Sequence, residues 1–186
     1  DFSTESYSFD DNGGAEDLDL KQFDKSVATD RKNGIVGLIH LAQKASAAAG
    51  QDLQLFGSPW SPPSWMKQGN HSMVGSASPC LKDDPLIHKS WANYLVEWVK
   101  AYGDQGIKMW GLTAQNEPGA PDNTPWEACT FSASDQRDFI RDLLGPRLSE
   151  LGLRLIAFDD QKDHLQEWAD TILGDADTAK FVWGFG

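Results

Sequence analysis

The run Ile107-Lys-Met-Trp-Gly-Leu-Thr-Ala-Gln-Asn-Glu-Pro118 constrains this chain more than any other stretch. It begins as an apolar, β-rich segment and ends in the polar triplet Gln115-Asn116-Glu117. Pro118 stops it, because proline has no N–H to give to a ladder. An unpaired carboxylate in an apolar interior costs several kcal/mol, so an acid ending such a strand belongs at a mouth rather than in a core. Glu117 is therefore expected at the open end of a sheet, with Asn116 beside it to bind a hydroxyl. An acid that merely caps the following turn is the plainer alternative.

Strand-like and helix-like segments alternate along the chain. Residues 29–49 place Ile35, Leu38, Ile39 and Ala42 at helical spacing, with Thr29 or Asp30 as a cap and Gly50 as a stop. A short strand, 53–60, runs into a Pro-rich turn and a long loop reaching about Asp84. A helix over 85–103 follows, with Trp91, Leu95, Trp98 and Val99 on its inner stripe. After the 107–117 strand comes another polar, Pro-rich loop with Trp126 and Cys129. Ser134 and Asp135 begin a third helix, which Gly145-Pro146 should kink. Residues 153–158 form a third strand ending in Asp159-Asp160-Gln161. A fourth helix uses Leu165, Trp168, Ala169 and Ile172, and Phe181-Val182-Trp183 opens a last strand.

This alternation predicts an α/β fold with a parallel sheet. Trp60, Glu117 and Asp159 all fall at strand C-termini, where parallel α/β folds bind their ligands. No Gly-rich phosphate loop follows any strand, which disfavours nucleotide binding. A complete (β/α)8 barrel takes about 250 residues, so this chain has room for about four of the eight units.

The 186 residues carry a formal net charge of −12, which makes nucleic acid and anionic membrane surfaces poor partners. No apolar run approaches the roughly 20 residues of a transmembrane helix. Asp10-Asp11-Asn12-Gly13-Gly14 reads as a solvated turn, its glycine misplaced for a calcium loop. Asn70-His71-Ser72 is a lone glycosylation sequon in a polar loop. Cys80 and Cys129 lie in loops on the predicted ligand face, either bridged as a disulfide or kept as two buried thiols.

Asn116-Glu117-Pro118 at a strand end resembles the acid/base signature of glycosidases built on (β/α)8 barrels. Gly57-Ser-Pro-Trp-Ser-Pro-Pro-Ser-Trp-Met-Lys67, Trp110-Gly-Leu-Thr-Ala-Gln-Asn-Glu-Pro118 and Phe158-Asp-Asp-Gln161 narrow the resemblance. Together they are similar to glycoside hydrolase family 30, and most to its glucosylceramidase branch. Gln136-Arg137-Asp138-Phe139-Ile140 and Leu144-Gly145-Pro146 fit the same branch. The likeness spans essentially the whole chain, and the motifs in this order are highly specific.

The resemblance implies a partial TIM barrel, about strands 2 to 6 with their helices. Residues 1–186 would be the central part of a single catalytic domain, truncated at both ends. It implies a retaining hydrolase of β-glucosidic bonds, first of all a glucosylceramidase releasing glucose and ceramide. An endo-β-1,6-glucanase and a non-catalytic sugar-binding derivative are the alternatives. Glu117 would be the general acid/base, and Asn116 would hydrogen-bond the sugar 2-hydroxyl. Trp60 would wall the sugar pocket, unless it is core. Asp1 would bind outer hydroxyls of the glucose, unless it is a solvated terminus. The family's nucleophilic Glu ends the seventh strand, outside this chain, so the chain alone is expected to be inactive. No cofactor or metal is implied. The expected partner is a glucoside, a glycosphingolipid or a β-glucan, met outside the cell or in a lysosome-like compartment.

Overall fold

The computed structural model describes residues 6–69 and 72–186. Asp1, and Asn70 and His71 of the sequon, lie outside the described residues. Four strands form one sheet: β1 (Phe56–Gly57), β2 (Gly111–Thr113), β3 (Arg154–Ala157) and β4 (Val182–Phe185). They lie side by side in chain order, and every pair is parallel. Parallel neighbours need a crossover, and helices supply it here. Between β1 and β2 runs α3 (Pro85–Asp104); between β2 and β3 run α4 (Ala133–Phe139), a π-helical turn (Ile140–Leu144) and α5 (Gly145–Glu150). Between β3 and β4 come α6 (Leu165–Leu173) and α7 (Ala176–Ala179). A strand order that never reverses is that of a barrel wall, not of a doubly wound sheet.

The helices pack on one face of this wall. Gly57 of β1 shows why that face needs a glycine: a Cβ there would lie 2.7 Å from Leu112 of β2 and 2.8 Å from Trp98 of α3. Leu112 therefore faces the helix layer, and Thr113, next along the strand, faces the inside of the wall. Buried Ile87, Trp91, Leu95, Ile140, Leu144, Leu148, Trp168 and Ile172 fill the helix layer. Asp84 caps α3 by accepting the Leu86 N–H, with Pro85 at the first helical position.

Three segments differ from the sequence reading. The helix expected over 29–49 is two helices, α1 (Ala28–Lys32) and α2 (Ile35–Ala48). Gly34 takes the left-handed conformation at φ 80° and breaks the run. Leu38, expected inside, is 67% exposed, and Val36 is buried instead. The third helix starts two residues early, because Ser132 and not Ser134 accepts the Asp135 N–H. Gly145-Pro146 does not break it. Pro146 lacks the N–H a regular turn would need, and the wider π turn just before it absorbs the defect. A Cβ on Gly145 would sit 2.6 Å from both the Ile140 carbonyl and the Phe181 ring, so the close approach to β4 needs glycine.

In the acidic turn Asp11, Asn12 and Gly13 are exposed as expected, but Asp10 is buried. Phe9 stacks on Phe23 and meets Tyr94 edge-on, and this draws Asp10 into the interior. The Asp10 carbonyl accepts the buried Trp65 indole N–H at 2.9 Å. Its carboxyl is 1% exposed and has no hydrogen-bond partner among the described residues. Burial, then the neighbouring Asp17 and Asp11, push the acid up to about 6. Nearby, Asp30 accepts the hydroxyls of Tyr7 and Tyr102, fastening α1 to α3.

A raised carboxyl binds its proton more tightly folded than unfolded. Asp10 thus contributes stability that is present below its ordinary value of 3.8 and lost as pH rises through about 6. Asp10→Asn removes the ionised form. It should raise stability at pH 7.5 by roughly 1–2 kcal/mol, a few degrees in Tm, and change little at pH 4. Thermal melts of both proteins at the two pH values check this; an equal effect at both would contradict it.

Candidate active site

The ends of β1, β2 and β3 are joined by main-chain hydrogen bonds. The Asn116 N–H donates to the Pro59 carbonyl at 2.9 Å, and the Glu117 N–H to the Asp159 carbonyl at 2.7 Å. Asn116 and Asp159 also form a parallel bridge beyond the strands proper. Trp60, Asn116, Glu117 and Asp159 thus stand at one rim of the wall, each half-buried. The Gln115 side chain, wholly buried, donates to the carbonyl of Trp60 at 2.8 Å and ties that residue to the end of β2.

Glu117 has φ 42°, in the left-handed region that non-glycine residues rarely enter. Such a conformation costs of order 1–3 kcal/mol and survives only where the surroundings hold it. Here the holding groups are the Asp159 carbonyl and the return bond from Ala120 N–H to the Glu117 carbonyl, 2.9 Å. The left-handed turn ends the strict alternation of the strand, so Asn116 and Glu117 need not face opposite sides. Phe158, at the end of β3, does the same with φ 45°, its N–H held by the side chain of Gln136 at 3.0 Å.

Below the rim, the inner face carries polar groups that sequence reasoning did not single out. Thr113 donates to Ser58 at 3.0 Å, and Ser58 donates to the Asp159 carboxylate. One strand-end residue from each of β1, β2 and β3 joins this line. The signal available was spacing: Ser58 is two residues before Trp60, and Thr113 four before Glu117, on the same strand face.

Two loops stand over the rim. The loop after β1 and the loop after β2 are joined by the disulfide Cys80–Cys129, with Cα atoms 5.2 Å apart. They are also tied by Gly75 N–H to the Trp126 carbonyl (2.8 Å) and Ser76 N–H to the Asp122 carbonyl (2.7 Å). Phe131 N–H closes the base of the second loop on the Pro118 carbonyl at 2.9 Å. Between the loops lies Lys67, 2% exposed. Burial pushes its ammonium down to about 8, while Glu127 acts the other way, so it stays charged at neutral pH. Trp126 is 40% exposed on the outer side.

A cavity of about 510 Å³ lies elsewhere: between α2, α3 and β1, under a mostly apolar lining. It reaches Ser58, Trp60 and Glu127 but not Asn116 or Glu117. The strand ends, where main-chain bonds bring Trp60, Asn116, Glu117 and Asp159 to one rim, are the candidate site, and that apolar gap is not. Among the described residues no His, Cys, Asp and Glu side chains group as a metal site.

The whole chain, residues 1–186, matches the family model of the glycosyl hydrolase family 30 TIM-barrel domain. The chain belongs to glycosyl hydrolase family 30. It is 38% identical over 190 residues to "Putative glucosylceramidase 4" of Caenorhabditis elegans, covering 99% of this chain and 35% of that protein. It is 37% identical over 190 residues to "Lysosomal acid glucosylceramidase" of Mus musculus, again 99% of this chain and 35% of that protein. "Endo-1,6-beta-D-glucanase BGN16.3" of Trichoderma harzianum is more distant, 28% identical over 187 residues, 95% of this chain and 36% of that protein. Among solved structures, SrfJ from Salmonella typhimurium superposes with a TM-score of 0.83 at 29% identity, over 100% of this chain and 39% of that one. The chain thus spans about a third of the length of the curated relatives it matches.

Replacing Cys80 and Cys129 together by Ser opens a loop of 49 residues in the unfolded chain. It should cost up to about 4 kcal/mol in the chain-entropy account. Denaturant unfolding of the pair variant against the oxidised protein measures this, and coincident midpoints would contradict it.

Proposed function

We propose that this family 30 chain carries the acid/base half of a retaining β-glucosidase site, in a protein acting as a glucosylceramidase. The observation that supports it most is the strained Glu117, held at the strand-end rim beside Asn116 and Trp60. In this reading Glu117 protonates the glycosidic oxygen as the bond breaks and later takes a proton from the attacking water. Asn116 hydrogen-bonds the 2-hydroxyl, a contact that strengthens in the transition state, and Trp60 walls the sugar. The route needs a second carboxylate about 5–5.5 Å away as nucleophile, which we assign to a part of the protein beyond this chain. The chain alone should therefore turn over little or no glucoside.

The two glucosylceramidase relatives at 37–38% identity favour a glucosylceramide substrate over a β-1,6-glucan, whose hydrolase is the more distant relative. The lysosomal relative supports a lysosomal or extracellular compartment.

In the full-length protein, Glu117→Gln should lower kcat/KM on a glucoside with a poor leaving group by about 10²–10⁴-fold, the usual contribution of a positioned proton donor. A loss of only a few-fold would remove Glu117 from the role.

A further inference from the structure

Lys67 is a lysine 2% exposed, in a place where burial demands partners for its charge. Its ammonium donates to the carbonyls of Met73, Gly75 and Ala128 at 2.9, 2.5 and 2.8 Å. That uses all three of its N–H bonds. Two of those carbonyls belong to the loop after β1 and one to the loop after β2. A charge taken out of water is stable only when it is hydrogen-bonded or paired, and three carbonyl dipoles meet that need here. Main-chain bonds also join these segments, Ala128 N–H to the Met73 carbonyl at 3.3 Å and Gly75 N–H to the Trp126 carbonyl at 2.8 Å, and the ammonium adds to them by gathering three carbonyls of both loops at one point. The Lys67 backbone is itself fixed, bridging Leu81 and donating to the Ser64 carbonyl at 3.1 Å.

We propose that Lys67 is a positioning residue: its ammonium locks the loops after β1 and β2 into one rim and so sets how the cleft holds the part of a substrate beyond the sugar. The rim residues concerned are Met73 and Glu127, which with Trp60 and Ser61 border the apolar cavity beside β1, next to the strand ends and distinct from the sugar site itself. Glu127 pairs with Val74 and Gly75 across the two loops, so its place depends on the carbonyls that Lys67 gathers. Glu127 is the charged group facing the ammonium. On the loop after β1 the disulfide and Lys67 act at different points, Cys80 against Met73 and Gly75, while on the loop after β2 they act at neighbouring residues, Cys129 and Ala128.

The substrate consequence rests on the glucosidase reading; the loop consequence does not. Lys67→Met keeps the aliphatic stem and removes the ammonium. In this chain, amide hydrogen exchange over 72–82 and 121–131 should quicken together by tenfold or more, with α6 unchanged. No change, or a change in only one loop, would overturn the proposal. In the full-length protein, the same variant should raise KM at least tenfold for a glucoside with a long aliphatic aglycone. For a glucoside with a small aromatic aglycone KM should move less than threefold; equal shifts for both would overturn the proposal. Wild-type protein that hydrolyses neither glucoside would sink the glucosidase reading and leave the exchange result to judge Lys67. Should Lys67→Met fail to fold, the ¹⁵N-labelled ammonium of the wild-type chain decides. A slowly exchanging Nζ resonance is expected, and free exchange with solvent would overturn the proposal.

Discussion

The bond from Glu117 N–H to the Asp159 carbonyl holds the site together. It is made past the last regular ladder position of β2 and β3, where a sheet would ordinarily splay. With its companion from Asn116 to Pro59 it keeps three strand ends in register and holds Glu117 at a φ it would not otherwise keep. In the proposed role Glu117 must be held within a fraction of an ångström, and loops alone rarely do that. It sits on main chain that is bonded sideways to the next strand.

The fold below this junction is ordinary barrel physics. Small residues appear where the wall is crowded: Gly57 under Trp98, Gly111 against Arg154, and Gly145 against Phe181. Large ones fill the helix layer, and a short hydroxyl line, Thr113 to Ser58 to Asp159, occupies the inner face. The loops are then fastened by a covalent bridge, by main-chain hydrogen bonds and by a buried ammonium. A long loop without secondary structure loses much entropy on ordering, and these ties together offset that loss over the mouth.

The strand–helix alternation was legible because buried parallel strands are continuous apolar runs and the helices between them keep a 3.6-residue stripe. The 85–104 helix is the clearest case, since Asp84-Pro85 marks its start and its stripe packs inward, Trp91 and Leu95 buried and Trp98 and Val99 half-buried. The rim position of Glu117 was legible because an acid ending an apolar strand has few places to go. The break at Gly34 was missed because the helical spacing of Ile35, Leu38 and Ile39, which all follow it, was extended back to the cap candidates Thr29 and Asp30. The burial of Asp10 was missed because it is decided by rings distant in sequence, Phe23 and Tyr94, and not by the acidic turn itself. Lys67 escaped for the same reason: its partners are carbonyls, which leave no trace in side-chain identity. Asp1, assigned to outer hydroxyls by resemblance, lies outside the described residues.

The most direct measurement is a crystal structure of the full-length protein with a non-hydrolysable glucose mimic that carries a basic atom in place of the glycosidic oxygen. The account predicts a carboxyl oxygen of Glu117 within about 2.6–3.2 Å of that atom, and the Asn116 amide on the 2-hydroxyl. A sugar ring bound at the apolar gap beside β1, or at this rim with Glu117 turned away and beyond one water's reach, would contradict it.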